Sequence, residues 1–202
     1  MQKGSKDIVQ ALLSAYGTSK EASYHDCSDG DECTPLVYAA KLGHTEAVKL
    51  LLTHGSRLIT SDKECGQNAL HWASLNGHHL TARALLAASC ELLNTSNRLG
   101  QTPLHLVCLH ERAHVVTVLL QNHSIERDKA DLRGESPLTY SAKKGHISVM
   151  KLLLDTRAVD LDSTDKDGQS PLWWANREGK EEAVQLLLRY GARLDKEDQF
   201  GR

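Results

Sequence analysis

No stretch of this chain approaches the roughly 18 consecutive apolar residues that a membrane-crossing helix needs. The opening Met1-Gln2-Lys3-Gly4-Ser5-Lys6 likewise lacks an apolar segment behind its basic residues. Neither a membrane span nor a secretion signal is therefore expected, and the expected setting is cytoplasmic or nuclear. A dominant charge is missing too: 24 Lys and Arg stand against 26 Asp and Glu, a formal net charge of −2. That balance removes the strong basic field that non-specific nucleic-acid binding requires. The five cysteines, Cys27, Cys33, Cys65, Cys90 and Cys108, are odd in number and irregular in spacing, which points to reduced thiols rather than a disulfide framework. They include no tight ligand pair of the kind structural zinc uses.

What the chain does have is a period. Leu36, Leu70, Leu104, Leu138 and Leu172 are separated by 34 residues every time, which marks a stack of like units. Each leucine closes a short motif: Thr34-Pro35-Leu36, Asn68-Ala69-Leu70, Thr102-Pro103-Leu104, Ser136-Pro137-Leu138 or Ser170-Pro171-Leu172. Each motif predicts a helix start. The Thr, Asn or Ser side chain can accept from the unpaired N–H groups of the first turn, and proline at the next position loses nothing there. Gly43, Gly77, Gly145 and Gly179 follow as turns. Second apolar runs then appear at helical spacing, such as Ala47-Val48-Leu50-Leu51 and Val115-Val116-Val118-Leu119-Leu120. Each unit is thus a helix pair, and helices this short must bury their apolar faces on the next pair.

Between pairs, Asn97-Arg98-Leu99-Gly100, Asp131-Leu132-Arg133-Gly134 and Asp165-Lys166-Asp167-Gly168 read as tight turns, the Asp or Asn bonding nearby backbone and Gly taking the left-handed position. Glu32 stands where the corresponding Gly would be expected before Leu36, and Glu111 replaces the interhelical Gly of the third unit.

The string D-x-x-G-x-T-P-L, the pairs Leu70-His71 and Leu104-His105, the Gly-His pairs at Gly43, Gly77 and Gly145, and the closing Leu-Leu runs resemble ankyrin repeats. The resemblance implies an all-α fold, a solenoid of stacked helix pairs joined by β-turn or hairpin loops, as a single domain over residues 1–202. Full repeats would span 26–59, 60–93, 94–127, 128–161 and 162–195. Residues 1–25 would hold a partial repeat and a loop, and 196–202 the start of a further one, so that the chain begins and ends within a longer array. Val37, Thr139 and Trp173 replace the family's first-helix His, leaving its hydrogen bond to neighbouring turns expected at His71 and His105 alone.

Eleven histidines raise the question of catalysis or metal binding. His44, His78 and His146 follow the period, so a cap or surface role beside the interhelical turn is the simpler reading. His110 and His114 share a helix face, but no nucleophile and base with an orienting third group can be assembled. No enzymatic activity and no cofactor are expected. The aromatic position Tyr38, Trp72, Tyr140 and Trp174, with Leu106 in the third unit, reads as packing between repeats. Trp173 and Trp174 point in different directions as helical neighbours, so one is expected to be exposed and Trp173 is the candidate anchor.

The family resemblance implies a concave face made of turn tips and outward first-helix positions. It selects Asp31, Cys33, Lys41, Leu42, Glu64, Gln67, Leu75, Asn76, Arg98, Leu99, Gln101, Leu109, His110, Leu132, Arg133, Glu135, Lys143, Lys144, Lys166, Asp167, Gln169, Arg177 and Glu178, and Trp173 joins them as the candidate anchor. Aliphatics and later-unit basic residues on that face suit a protein or peptide partner with apolar anchors and acidic residues. The expected function is therefore a non-enzymatic protein-protein interaction module. A regulatory or targeting domain of a larger enzyme or membrane protein is one alternative, and a metal or nucleic-acid binding module another. Weak self-association through open ends is a further expectation. Asn94, with Leu86 eight residues upstream, resembles the asparagine-hydroxylation sites of some ankyrin proteins.

Overall fold

The expected caps form at four of the five helix starts, and at the fifth the Thr102 hydroxyl meets the His105 ring at 2.9 Å instead. In the computed structural model, which describes residues 33–194, Thr34 Oγ1 accepts from the Val37 N–H, Ser136 Oγ from Thr139 and Ser170 Oγ from Trp173, each with proline opening the helix behind it. Asn68, without a following proline, accepts from both Leu70 and His71. Glu32, the partial repeat expected in residues 1–25 and the new repeat expected at 196–202 lie outside the described residues.

The chain groups into two compact units divided between Arg98 and Leu99. In the first, α1 (Pro35–Lys41) and α2 (Thr45–Thr53) form one pair, α3 (Ala69–Leu75) and α4 (His79–Ala88) the next. α1 packs on α3 and α2 on α4, which gives two layers. A 3-10 helix, Cys90–Asn94, follows α4 and buries Leu92 and Leu93 completely. The period assigns this stretch to a loop; its two core leucines stand outside the 34-residue register and carry no helical spacing of their own. Asn94, at its end, is half-buried.

The second unit holds three pairs: α5 (Pro103–Leu109) with α6 (Ala113–Leu120), α7 (Pro137–Lys144) with α8 (Ile147–Leu154), and α9 (Pro171–Arg177) with α10 (Glu181–Arg189). The first helices α5, α7 and α9 pack in one layer and α6, α8 and α10 in the other. Leu104, Val107, Cys108, Val116, Leu119, Leu138, Ala142, Met150, Leu153 and Leu187 fill the space between layers. Burying a side chain of that size is worth about 1.5–3 kcal/mol, so the stack supplies what no short helix has alone. Cys108 is fully buried, and burial pushes its thiol far above the ordinary range, so it stays a protonated packing residue.

Two turn details matter for the surface. Glu111 keeps the left-handed conformation that Gly holds in the other repeats, at φ 55°. The periodic histidines His44, His78 and His146 do stand at the start of three second helices, before Thr45, His79 and Ile147, but their side chains make no cap hydrogen bond. His78 Nε2 meets the Lys41 carbonyl at 3.2 Å, and His146 Nε2 meets that of Leu109 at 3.1 Å. They satisfy the open carbonyl end of the preceding repeat's first helix, a role that local spacing does not reveal.

Candidate functional site

Three of the turns between repeats, at Asp62, Asp131 and Asp165, are each built around one acidic side chain. Asp131 Oδ1 accepts from the backbone N–H groups of Arg133 and Glu135 at 2.8 and 2.9 Å, and Asp165 Oδ1 does the same for Asp167 and Gln169 at 3.0 and 2.8 Å. The second oxygen takes the polar tip of the recurring aromatic residue: Tyr140 Oη donates to Asp131, and Trp174 Nε1 to Asp165, both at 2.8 Å. In the first unit Trp72 Nε1 donates to Asp62 at 2.8 Å. At Trp72, Tyr140 and Trp174 the aromatic residue is thus a tether between turn and helix, more specific than the filler role expected of it, whereas Tyr38 is 54% exposed and does not fill a space between repeats. Where the helix carries Leu106, which has nothing to donate, the sequence of the turn carries uncharged Asn97 in place of Asp.

Held this way, successive turns join by their main chains. Leu132 N–H donates to the Leu99 carbonyl and Lys166 N–H to that of Arg133, each at 3.0 Å. In the first unit Arg98 N–H donates to Cys65 at 3.0 Å. Glycine is needed at Gly100 and Gly134 for two reasons. Their φ values are 78° and 82°, and a Cβ on them would lie 2.6 Å from the Leu132 nitrogen and 2.8 Å from that of Lys166.

The result in the second unit is a fingertip row with Leu99 and Leu132 each 60% exposed. Beside them stand Arg133, whose side chain is 67% exposed, and the exposed Lys166. The helix ends behind the row contribute Lys144, His110 and Arg177, all exposed, and the half-buried Leu109 and Trp173. The pKa of His110 is lowered from its ordinary value, first by the partial desolvation of its ring and then by its cationic neighbours, Arg112 foremost.

Not every residue selected from sequence is presented. Gln67, Gln101, Glu135 and Gln169 are buried, because in each unit the residue after the turn Gly points inward. Gln101 Nε2 donates to Tyr140 Oη at 2.7 Å, and Glu135 Oε1 takes Lys143 Nζ at 2.8 Å with Arg133 Nε at 3.6 Å. Lys143 is consequently an internal partner: it also lies 3.4 Å from the centroid of the Trp174 ring. Trp173 and Trp174 are both half-buried, so neither is the wholly exposed ring expected; they meet edge to face at 5.1 Å and 84°. The guanidinium of Arg177 lies 5.1 Å from each ring centroid.

In the first unit, Leu42 is 47% exposed, while Lys41 sits over the Trp72 ring at 4.2 Å and its carbonyl accepts from Asn76 Nδ2 at 2.9 Å. Leu75 is half-buried and Arg98 exposed. Among the described residues no three or more His, Cys, Asp or Glu are grouped to hold a metal ion, and no helix is long and apolar enough to cross a membrane.

Helix pairs capped by Thr-Pro or Ser-Pro, left-handed interhelical turns and fingertips zipped by their main chains define a repeat scaffold of the kind that presents a surface. The family described as "Ankyrin repeats (3 copies)" matches residues 1–96, 57–130, 89–158 and 114–198, and the chain belongs to the ankyrin repeat family, with its all-α solenoid fold. Comparison with curated proteins finds no match. Members of this family are in general protein-protein interaction modules.

Proposed function

We propose that this chain is a non-enzymatic module that captures a protein or peptide partner along the fingertip row and inner helix ends of residues 99–194. Leu99 and Leu132 act as the apolar anchors. Arg133, Lys144, Lys166 and Arg177 receive acidic residues. The observation that carries this reading is the pair of leucines, both 60% exposed on adjoining main chains, where a turn that only needed solvation would have polar side chains. The array is ordered before binding, so the ordering cost falls on the partner. Desolvated leucine and arginine contacts supply most of the affinity, and the cationic rim sets encounter rate and orientation.

The test is quantitative capture from a cell lysate with the full chain and with a Leu99→Ser/Leu132→Ser variant of matched circular dichroism and melting temperature. A partner retained by the parent and recovered about tenfold less by the variant supports the reading, since losing two interfacial leucine contacts is expected to cost that much or more. Equal recovery of every protein contradicts it.

A further inference from the structure

Among the cations of this surface, Arg177 stands apart. The charge of Lys143 is met by Glu135 at 2.8 Å, and Arg133 lies 3.6 Å from Glu135 and 3.9 Å from Asp131. Arg177 is exposed and meets no carboxylate among the described residues; the contacts that hold it are the two indoles, each 5.1 Å away. Because the rings of Trp173 and Trp174 stand at 84° to one another, the guanidinium sits in the corner they form. Trp174 is itself immobilised by its hydrogen bond to Asp165 and by Lys143 over its ring. A long side chain that would ordinarily lose rotamer freedom on binding is thereby placed in advance, and it pairs with no acid of the described residues. The exposed Lys166 adds a second cation without an acidic partner among the described residues, on the fingertip of the same repeat.

Resting on the binding surface proposed above, we infer that Arg177 is the specificity-determining clamp of that surface and takes an Asp or Glu carboxylate of a peptide partner, two N–H groups to two oxygens. Trp173 and Trp174 are its positioning residues. A carboxylate fits the planar fork and answers the charge that the fold leaves unanswered there.

The experiment pans a phage-displayed random peptide library on the full chain, on Arg177→Gln and on Leu99→Ser/Leu132→Ser, all with matched melting temperatures. The best synthetic peptide is then titrated by fluorescence anisotropy together with its Asp/Glu to Asn/Gln and phosphoserine analogues. The parent is expected to enrich acidic peptides. Arg177→Gln and the amide analogue should each weaken binding about tenfold or more, and the two losses should not add, as for groups that act as one pair. Arg177→Lys should recover part of the affinity and not all of it, for want of the fork. Acidic peptides that bind parent and Arg177→Gln equally, winning peptides without acid, or a stronger phosphoserine analogue each overturn the clamp. If those peptides still depend on Leu99 and Leu132, the binding surface survives that result. A parent that enriches no peptide overturns both.

Discussion

His105 enters the core as a neutral imidazole, its Nδ1 accepting from the Thr102 N–H at 3.0 Å and its Nε2 meeting the Glu135 carbonyl at 3.0 Å. Burial pulls its pKa from 6.5 down to about 4, only partly offset by that carbonyl and by Asp131. The sign of the pH effect follows. Above pH 6.5 the residue is neutral folded or unfolded; as pH falls toward 4 the unfolded chain takes up a proton that the folded one refuses, so stability is lost across that window. The full loss is about 3 kcal/mol, and His105→Gln should show a flatter dependence between those limits in denaturant titrations at stepped pH. A second residue-scale expectation concerns Glu111, left-handed at φ 55°. Glu111→Gly should raise stability by up to about 1 kcal/mol in the same denaturant titration. The Glu111 carboxylate accepts from Ser148 at 3.0 Å in an exposed contact and lies 3.4 Å from the half-buried His146, on a side chain that is itself half exposed, so solvent screens both interactions and they contribute little. The departure of Glu111 from the repeat pattern was legible as sequence; that the backbone keeps its glycine-like geometry was not, because side-chain identity does not report φ once the surrounding turn dictates it.

At the level of the element, cap, turn and helix pair were readable because they repeat with fixed chemistry: Thr34, Asn68, Ser136 and Ser170 all cap as their side chains require. The tether between turn and helix was not readable. It joins residues nine or ten apart, Asp131 with Tyr140 and Asp62 with Trp72, and the Asp62 turn contains one more residue before its Gly, so the acid drops out of the 34-residue register. The inward turn of Gln101 and Glu135 was hidden for a related reason: within an irregular turn no period says which side faces the core. The tether also predicts a measurable coupling. Tyr140→Leu leaves an oxygen of buried Asp131 without its donor, whereas Asp131→Asn/Tyr140→Leu reproduces the Asn97 and Leu106 combination found one repeat earlier in the sequence. A double-mutant cycle by chemical denaturation should give a coupling of about 1 kcal/mol or more; additive losses would show that the tether contributes no specific energy.

For the molecule as a whole, the periodic core fixes the family while the non-periodic positions on it define the surface. Leu99, Leu132, Arg133 and Lys166 come together because Gly100 and Gly134 let successive turns touch through their main chains. Lys143, which composition alone groups with the basic rim, is committed to Glu135 and Trp174 and belongs to the fold. A charge reversal there would place two acids side by side and unfold the site it was meant to probe, so binding variants should be drawn from Arg133, Lys144, Lys166 and Arg177. Capture of a partner on the fingertip side of residues 99–194 can be read by photo-crosslinking. A benzoylphenylalanine placed at Leu132 is compared with one at Lys151, an exposed position on α8 in the other helix layer. A discrete partner adduct is expected at Leu132 and is expected to be nearly absent at Lys151. Adducts of equal yield at both positions, or a discrete partner found at Lys151 alone, would contradict capture on the fingertip side.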